Sequence, residues 1–142
     1  MQLSRFLIFL VLVGVLGYAW EHRRASSAAE AAASESPNGF VLALHPAGAP
    51  PEAVAILAPE NCPSERAQRA SSLADDLERR GIPVFRSAHG AIVADNPTPQ
   101  MMERGQRAAD VINGAVPAVF IRGWAKSNPT TEEVVAEYER TR

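Results

Sequence analysis

The sequence predicts an α/β domain, a four-stranded mixed sheet flanked by helices, preceded by an N-terminal transmembrane helix. Three observations predict it. Between residues 40 and 142, short apolar runs alternate with stretches of helical spacing in the order β-α-β-α-β-β-α. The run AVAILA at 53–58 is apolar throughout, as expected of a strand covered on both faces of its sheet. Residues 6–20 (FLIFLVLVGVLGYAW) carry no charge and show no polar face, unlike any later segment.

That first run is bounded by Arg5 and by Glu21-His22-Arg23-Arg24. At about 1.5 Å per residue it falls a little short of a ~30 Å hydrocarbon core. Leu3 and snorkelling by Arg5, Arg23 and Arg24 close the difference. Tyr18 and Trp20 stand where interfacial aromatics belong. The alternative is a cleaved secretory signal, but polar residues 21–24 separate the run from the nearest small-x-small triplet, near Ala25. An uncleaved single-pass anchor over 1–24, in a bacterial inner membrane, is therefore expected. Basic residues flank both ends and the positive-inside rule is nearly tied; the spacer that follows favours a periplasmic domain. Residues 25–39 (ASSAAEAAASESPNG) hold no large apolar side chain and read as a flexible tether.

The domain is expected over 40–142. Residues 40–44 (FVLAL) form a weak strand that would be an extra one in front, and 53–58 the first strong one. Pro63 suits the first position of a helix, where its missing N–H costs nothing. Ala67, Ala70, Leu73, Ala74 and Leu77 then recur at helical spacing. Gly81 stops this helix, Ile82 supplies the accompanying apolar contact, and Arg79 and Arg80 complement the dipole. Residues 83–87 form the next strand. Thr98-Pro99 opens a second helix with Met101, Gly105, Ala108 and Ile112 on one face, ended by Asn113-Gly114. Residues 116–121 and 124–126 are the last strands, turning at Gly123. Thr130 and Glu133 form a capping box for a final helix buried through Val134, Val135 and Tyr138.

Composition excludes several functions. Fourteen basic against sixteen acidic residues give a formal charge of −2, so no positive excess exists to hold a nucleic-acid backbone. A single cysteine excludes an internal disulfide and a multi-cysteine zinc site. His22, His45 and His89 have no ligand spacing, and no metal site or resident cofactor is expected. Asp75-Asp76 and Glu132-Glu133 read as solvated helix faces, as do Arg66 and Arg69 beside the first helix.

Cys62 is the candidate catalytic residue. A thiol at a helix start faces unpaired N–H groups and the positive dipole end, and both favour the thiolate, the nucleophile of disulfide exchange. The competing reading is an inert small residue. Glu65 would either oppose the thiolate or cap the Cys62 N–H. Pro63, Val116 and Pro117 are the candidate substrate-binding residues, with Pro117 alternatively a plain strand opener.

Three local features together resemble the thioredoxin-fold superfamily, closest to its glutaredoxin branch. A strand (AVAILA) runs into Cys62-Pro63 at a helix start. Val116-Pro117 precedes a strand where the family has a cis-proline. Phe120-Ile121-Arg122-Gly123 turns into the last strand and helix. The match covers about 53–140. The resemblance implies thiol–disulfide exchange with a thiol or disulfide protein partner or glutathione, the Val116 backbone pairing with an extended substrate. Glu65 stands where dithiol members carry a second cysteine, so an external thiol must resolve any mixed disulfide. Arg122-Gly123-Trp124-Ala125 does not match the family's glutathione-binding residues, and Ala115 replaces its usual threonine. The rival is a non-catalytic interaction module that keeps the fold and offers the same groove.

Overall fold

The computed structural model describes residues 14–21, 33–59 and 64–142. The chain divides into two units, Met1–Ser34 and Glu35–Arg142. In the first, residues 14–21 are helical, with Val15, Leu16, Tyr18 and Trp20 exposed. The rest of the expected anchor and residues 25–32 of the expected tether lie outside the described residues. Among the described residues no helix is long and apolar enough to cross a membrane.

The second unit is a mixed five-stranded sheet with helices on both faces. Its elements are β1 (Val41–Leu42), β2 (Val54–Leu57), α1 (Glu65–Arg79), β3 (Val84–Ser87), α2 (Pro99–Ile112), β4 (Ala118–Ile121), β5 (Trp124–Ser127) and α3 (Thr131–Arg140). The strand order is β1-β5-β4-β2-β3. Only β2 and β3 are parallel; the other pairs are antiparallel. The expected count of four strands is corrected to five. The weak apolar stretch after residue 40 pairs with β5, placing Val41 opposite Ala125. Left uncovered, the outer edge of β5 would expose unpaired backbone groups.

Side chains alternate cleanly across the sheet. Val54 and Ile56 of β2, with Val119 and Ile121 of β4, pack against Ala70, Leu73, Ala74 and Leu77 of α1 and Val134 of α3. Ala55, Leu57, Ala118 and Phe120 point the other way, against Ala108 and Val111 of α2. Both central strands are buried on both faces, which explains their uninterrupted apolar sequences. In α2 the buried positions are Ala108 and Val111, so the apolar stripe sits one residue before the expected Ile112.

Local chemistry sets the helix ends. Gly81, at φ +76°, closes α1: its N–H donates to Glu78 O and the Ile82 N–H to Leu77 O, both at 3.0 Å. Thr98 caps α2 by accepting the Met101 N–H at 3.2 Å. Thr130 and Glu133 form the reciprocal capping box of α3. At the sheet's free edge, Arg86 of β3 reaches Asp75 (2.7 Å) and Glu78 (3.1 Å) on α1, leaving a charged edge that resists further strand pairing.

The unit begins at Glu35 rather than residue 40. Residues 35–39, read from sequence as the end of the tether, fold back as a strap. Glu35 bridges to Val41, and the Phe40 and Asn38 N–H groups donate to the Ser36 hydroxyl. Asn38 Nδ2 donates to Glu137 of α3 at 2.9 Å, and Lys126 Nζ donates to Asn38 O at 2.9 Å.

Candidate functional site

Leu57, the last residue of β2, pairs with Ala118, the first of β4. These strands are antiparallel, so the connection leaving β2 and the connection entering β4 meet at one end of the sheet. The first contains Cys62 and Pro63; the second contains Val116 and Pro117. Cys62 and Pro63 lie outside the described residues. Their flanks are defined: the Ala58 N–H donates to Ser87 O at 3.0 Å, and Ser64 caps α1.

The helix start differs from expectation. Ser64 is the cap, its hydroxyl accepting the Ala67 N–H at 3.3 Å, and Glu65 is the first helical residue. Pro63 therefore precedes the cap instead of opening the helix, and Cys62 is two residues before it. A serine oxygen accepts an amide N–H better than a thiol does, so Ser64 takes the cap. Residue 67, where a reciprocal capping carboxylate would sit, is alanine; Glu65 instead places its charge in the first turn, where the dipole favours it.

The opposite wall is the α2–β4 connection. The Val116–Pro117 peptide bond is cis. The Pro117 ring is fully buried, and Val116 is half-buried. No described residue hydrogen-bonds the Val116 backbone, which leaves it open to pairing with an extended chain. Gly114 packs so closely that a Cβ there would lie 2.5 Å from Ser127 Oγ, and that hydroxyl donates to Val111 O at 2.8 Å. The connection is thereby pressed against the end of β5.

Asn128, just beyond β5, ties the two walls together. It adopts a left-handed backbone conformation at φ +49°, which asparagine tolerates. Its N–H donates to Pro117 O at 2.7 Å, and its side-chain Oδ1 accepts from Arg69 Nη1 of α1 at 3.1 Å. Arg69, read from sequence as solvated surface, is thus attached to the Pro117 connection. The available signal for Asn128 was its Asn-Pro dipeptide, a turn initiator; nothing local pointed to Arg69 as its partner. Nearby, Lys126 lies 2.8 Å from Glu133. That ammonium, helped by the Thr130 N–H, holds the Glu133 carboxyl below the usual range.

The site therefore combines the flanks of a thiol-bearing loop, an unpaired stretch of extended backbone and a bridge between them. Among the described residues, no group of three His, Cys, Asp or Glu side chains could hold a metal ion. No family model matches the chain, and neither a curated protein nor a solved structure matches it.

Proposed function

We propose that the chain is a thioredoxin-like, glutaredoxin-related protein that performs thiol–disulfide exchange through Cys62, with its domain tethered to a membrane by residues 1–24. One observation carries this reading: the Leu57–Ala118 pairing brings the Cys62 connection and Val116-Pro117 to one end of the sheet. The element order from β2 to α3 agrees with the expected β-α-β-α-β-β-α.

The Cys62 thiolate attacks one sulfur of a substrate disulfide. That S–S bond breaks, a mixed disulfide forms on Cys62, and the second substrate sulfur leaves as a thiolate with the electron pair. An external thiol, glutathione or a partner cysteine, then attacks the mixed disulfide. It expels the Cys62 thiolate and keeps the substrate sulfur in a new disulfide. The external thiol is oxidised as the released substrate sulfur is reduced. Val116 pairs with the extended backbone of the substrate during the first step.

The test is disulfide reduction with glutathione as the resolving thiol, comparing the full chain with Cys62→Ser. Loss of exchange in the variant is expected. The thiol should also alkylate with a pKa below the unperturbed ~8.5. Equal rates in the two proteins, or a pKa at or above that value, overturn the reading. Position favours a second reading in one respect: Cys62 precedes the Ser64 cap, so α1 gives it less of its dipole than a thiol in the cap position would receive. A non-catalytic groove that binds an extended partner segment would then remain, and it would bind equally well in Cys62→Ser. For the anchor, protease digestion of intact spheroplasts should cleave the domain if it is periplasmic and spare it otherwise.

A further inference from the structure

We propose that Asn128 is a positioning residue of this site, acting through Arg69; the inference rests on the thiol–disulfide reading above. The fully buried anchors of α1 begin at Ala70 and continue through Leu73, Ala74 and Leu77. The turn ahead of them, which follows directly from Cys62, has only the half-buried Ala67 to fix it by packing. Arg69 sits at the boundary, and its guanidinium spans to Asn128. Asn128 is itself fastened to Pro117 O through its backbone. The start of α1 is therefore referenced to the loop that presents the Val116 backbone.

The bridge is neutral on the Asn128 side. Arg69 makes no ion pair with a described carboxylate, although Glu65 stands one turn earlier on the same helix, whereas Arg79, Arg86, Arg107, Arg140 and Arg142 each pair with one. An exposed hydrogen bond of this kind contributes little to global stability. Its consequence is geometric: it sets the separation between the thiol and the backbone that aligns the substrate. A shift of about 1 Å there is enough to slow a reaction between aligned groups by up to about a hundredfold.

Asn128→Gly isolates this role. Glycine keeps the left-handed backbone and the N–H bond to Pro117 O while deleting the Oδ1 acceptor. Arg69→Met removes the donor and leaves the loop untouched, so it serves if the glycine variant folds poorly. With a peptide disulfide and glutathione, each variant is expected to raise KM and lower kcat/KM about tenfold. The double variant should lose no more than either single one. The pH profile of Cys62 alkylation by iodoacetamide, which needs no alignment, should stay unchanged in Asn128→Gly. Wild-type peptide kinetics in both single variants, multiplying effects in the double variant, or a shifted alkylation profile in Asn128→Gly overturns the proposal. Exchange that is independent of Cys62 in the unmodified chain overturns the thiol reading instead, and the positioning role with it.

Discussion

Glu137 is the residue whose place departs furthest from its chemistry. It is 0% exposed, on a helix whose charges were expected to face water. A buried carboxylate is tolerated only when its oxygens are satisfied. Arg140 Nε donates to it at 3.0 Å and Asn38 Nδ2 at 2.9 Å, with Ser36 adding a further bond. Burial alone would push this carboxyl up; the hydrogen bonds and the Arg140 charge outweigh it and hold it below the ordinary value of 4.5. Its folded-state pKa is depressed, so its contribution is fully present above the unfolded value. Below that, the unfolded chain protonates first, and the contribution disappears as pH falls through the folded value. Glu137→Gln should cost about 1–3 kcal/mol at neutral pH and flatten the acid limb of stability. Urea unfolding from about pH 7 to about pH 3 measures both; an unchanged acid limb would show that another group dominates. Arg140 was visible three residues away in the sequence, but Asn38 is 99 positions distant, and no local pattern announces it.

At the scale of elements, what could be read from the sequence was what is set locally. Gly81, Thr98 and the Thr130–Glu133 box act within a few residues of themselves, and each terminates its helix where the sequence placed it. The start of α1 was misplaced because Pro63 and Ser64 both carry start signals, and the hydroxyl prevails. The fifth strand was only weakly legible because β1 is two residues long and exists to cover β5, a long-range cause. The site divides the same way. Val116-Pro117 stood out as a motif, whereas the Arg69–Asn128 bridge depends on how α1 lies against the end of β5. Where local chemistry governs, substitution effects follow from backbone angles. Gly81→Ala places a Cβ at φ +76° and should cost about 1–2 kcal/mol. Gly81→Asn should cost less, since asparagine enters this region more readily. Urea midpoints of the two variants give the comparison, and equal losses would argue that the αL backbone is not the cause.

Across the whole molecule, the sheet is closed by different means at its two edges. On the β3 side, Arg86 and its carboxylate partners present charge. On the β1 side, the strap 35–39 folds over, and its Asn38 completes the shell of buried Glu137 while Lys126 grips the strap's backbone. The boundary of the folded unit thus follows from a buried charge needing partners rather than from where apolar residues begin. Two truncations separate these accounts. A chain beginning at Glu35 retains every strap contact and should unfold at the temperature of the full domain. A chain beginning at Phe40 loses the Asn38 and Ser36 bonds to Glu137 together with the Asn38 carbonyl that Lys126 uses. Hydrogen bonds to charged groups contribute about 1.5–3 kcal/mol each and share one carboxylate here, so the combined loss should be about 2–4 kcal/mol. In a domain of this size each kcal/mol moves Tm by about 4–8 °C, so the shorter chain should melt at least about 8 °C lower. Because the lost partners serve an ionised group, the gap between the two chains should narrow as pH falls below about 4.5 and Glu137 loses its charge. A gap that stayed constant with pH would mean that the strap stabilises by covering apolar surface such as Phe40, and not by satisfying the carboxylate.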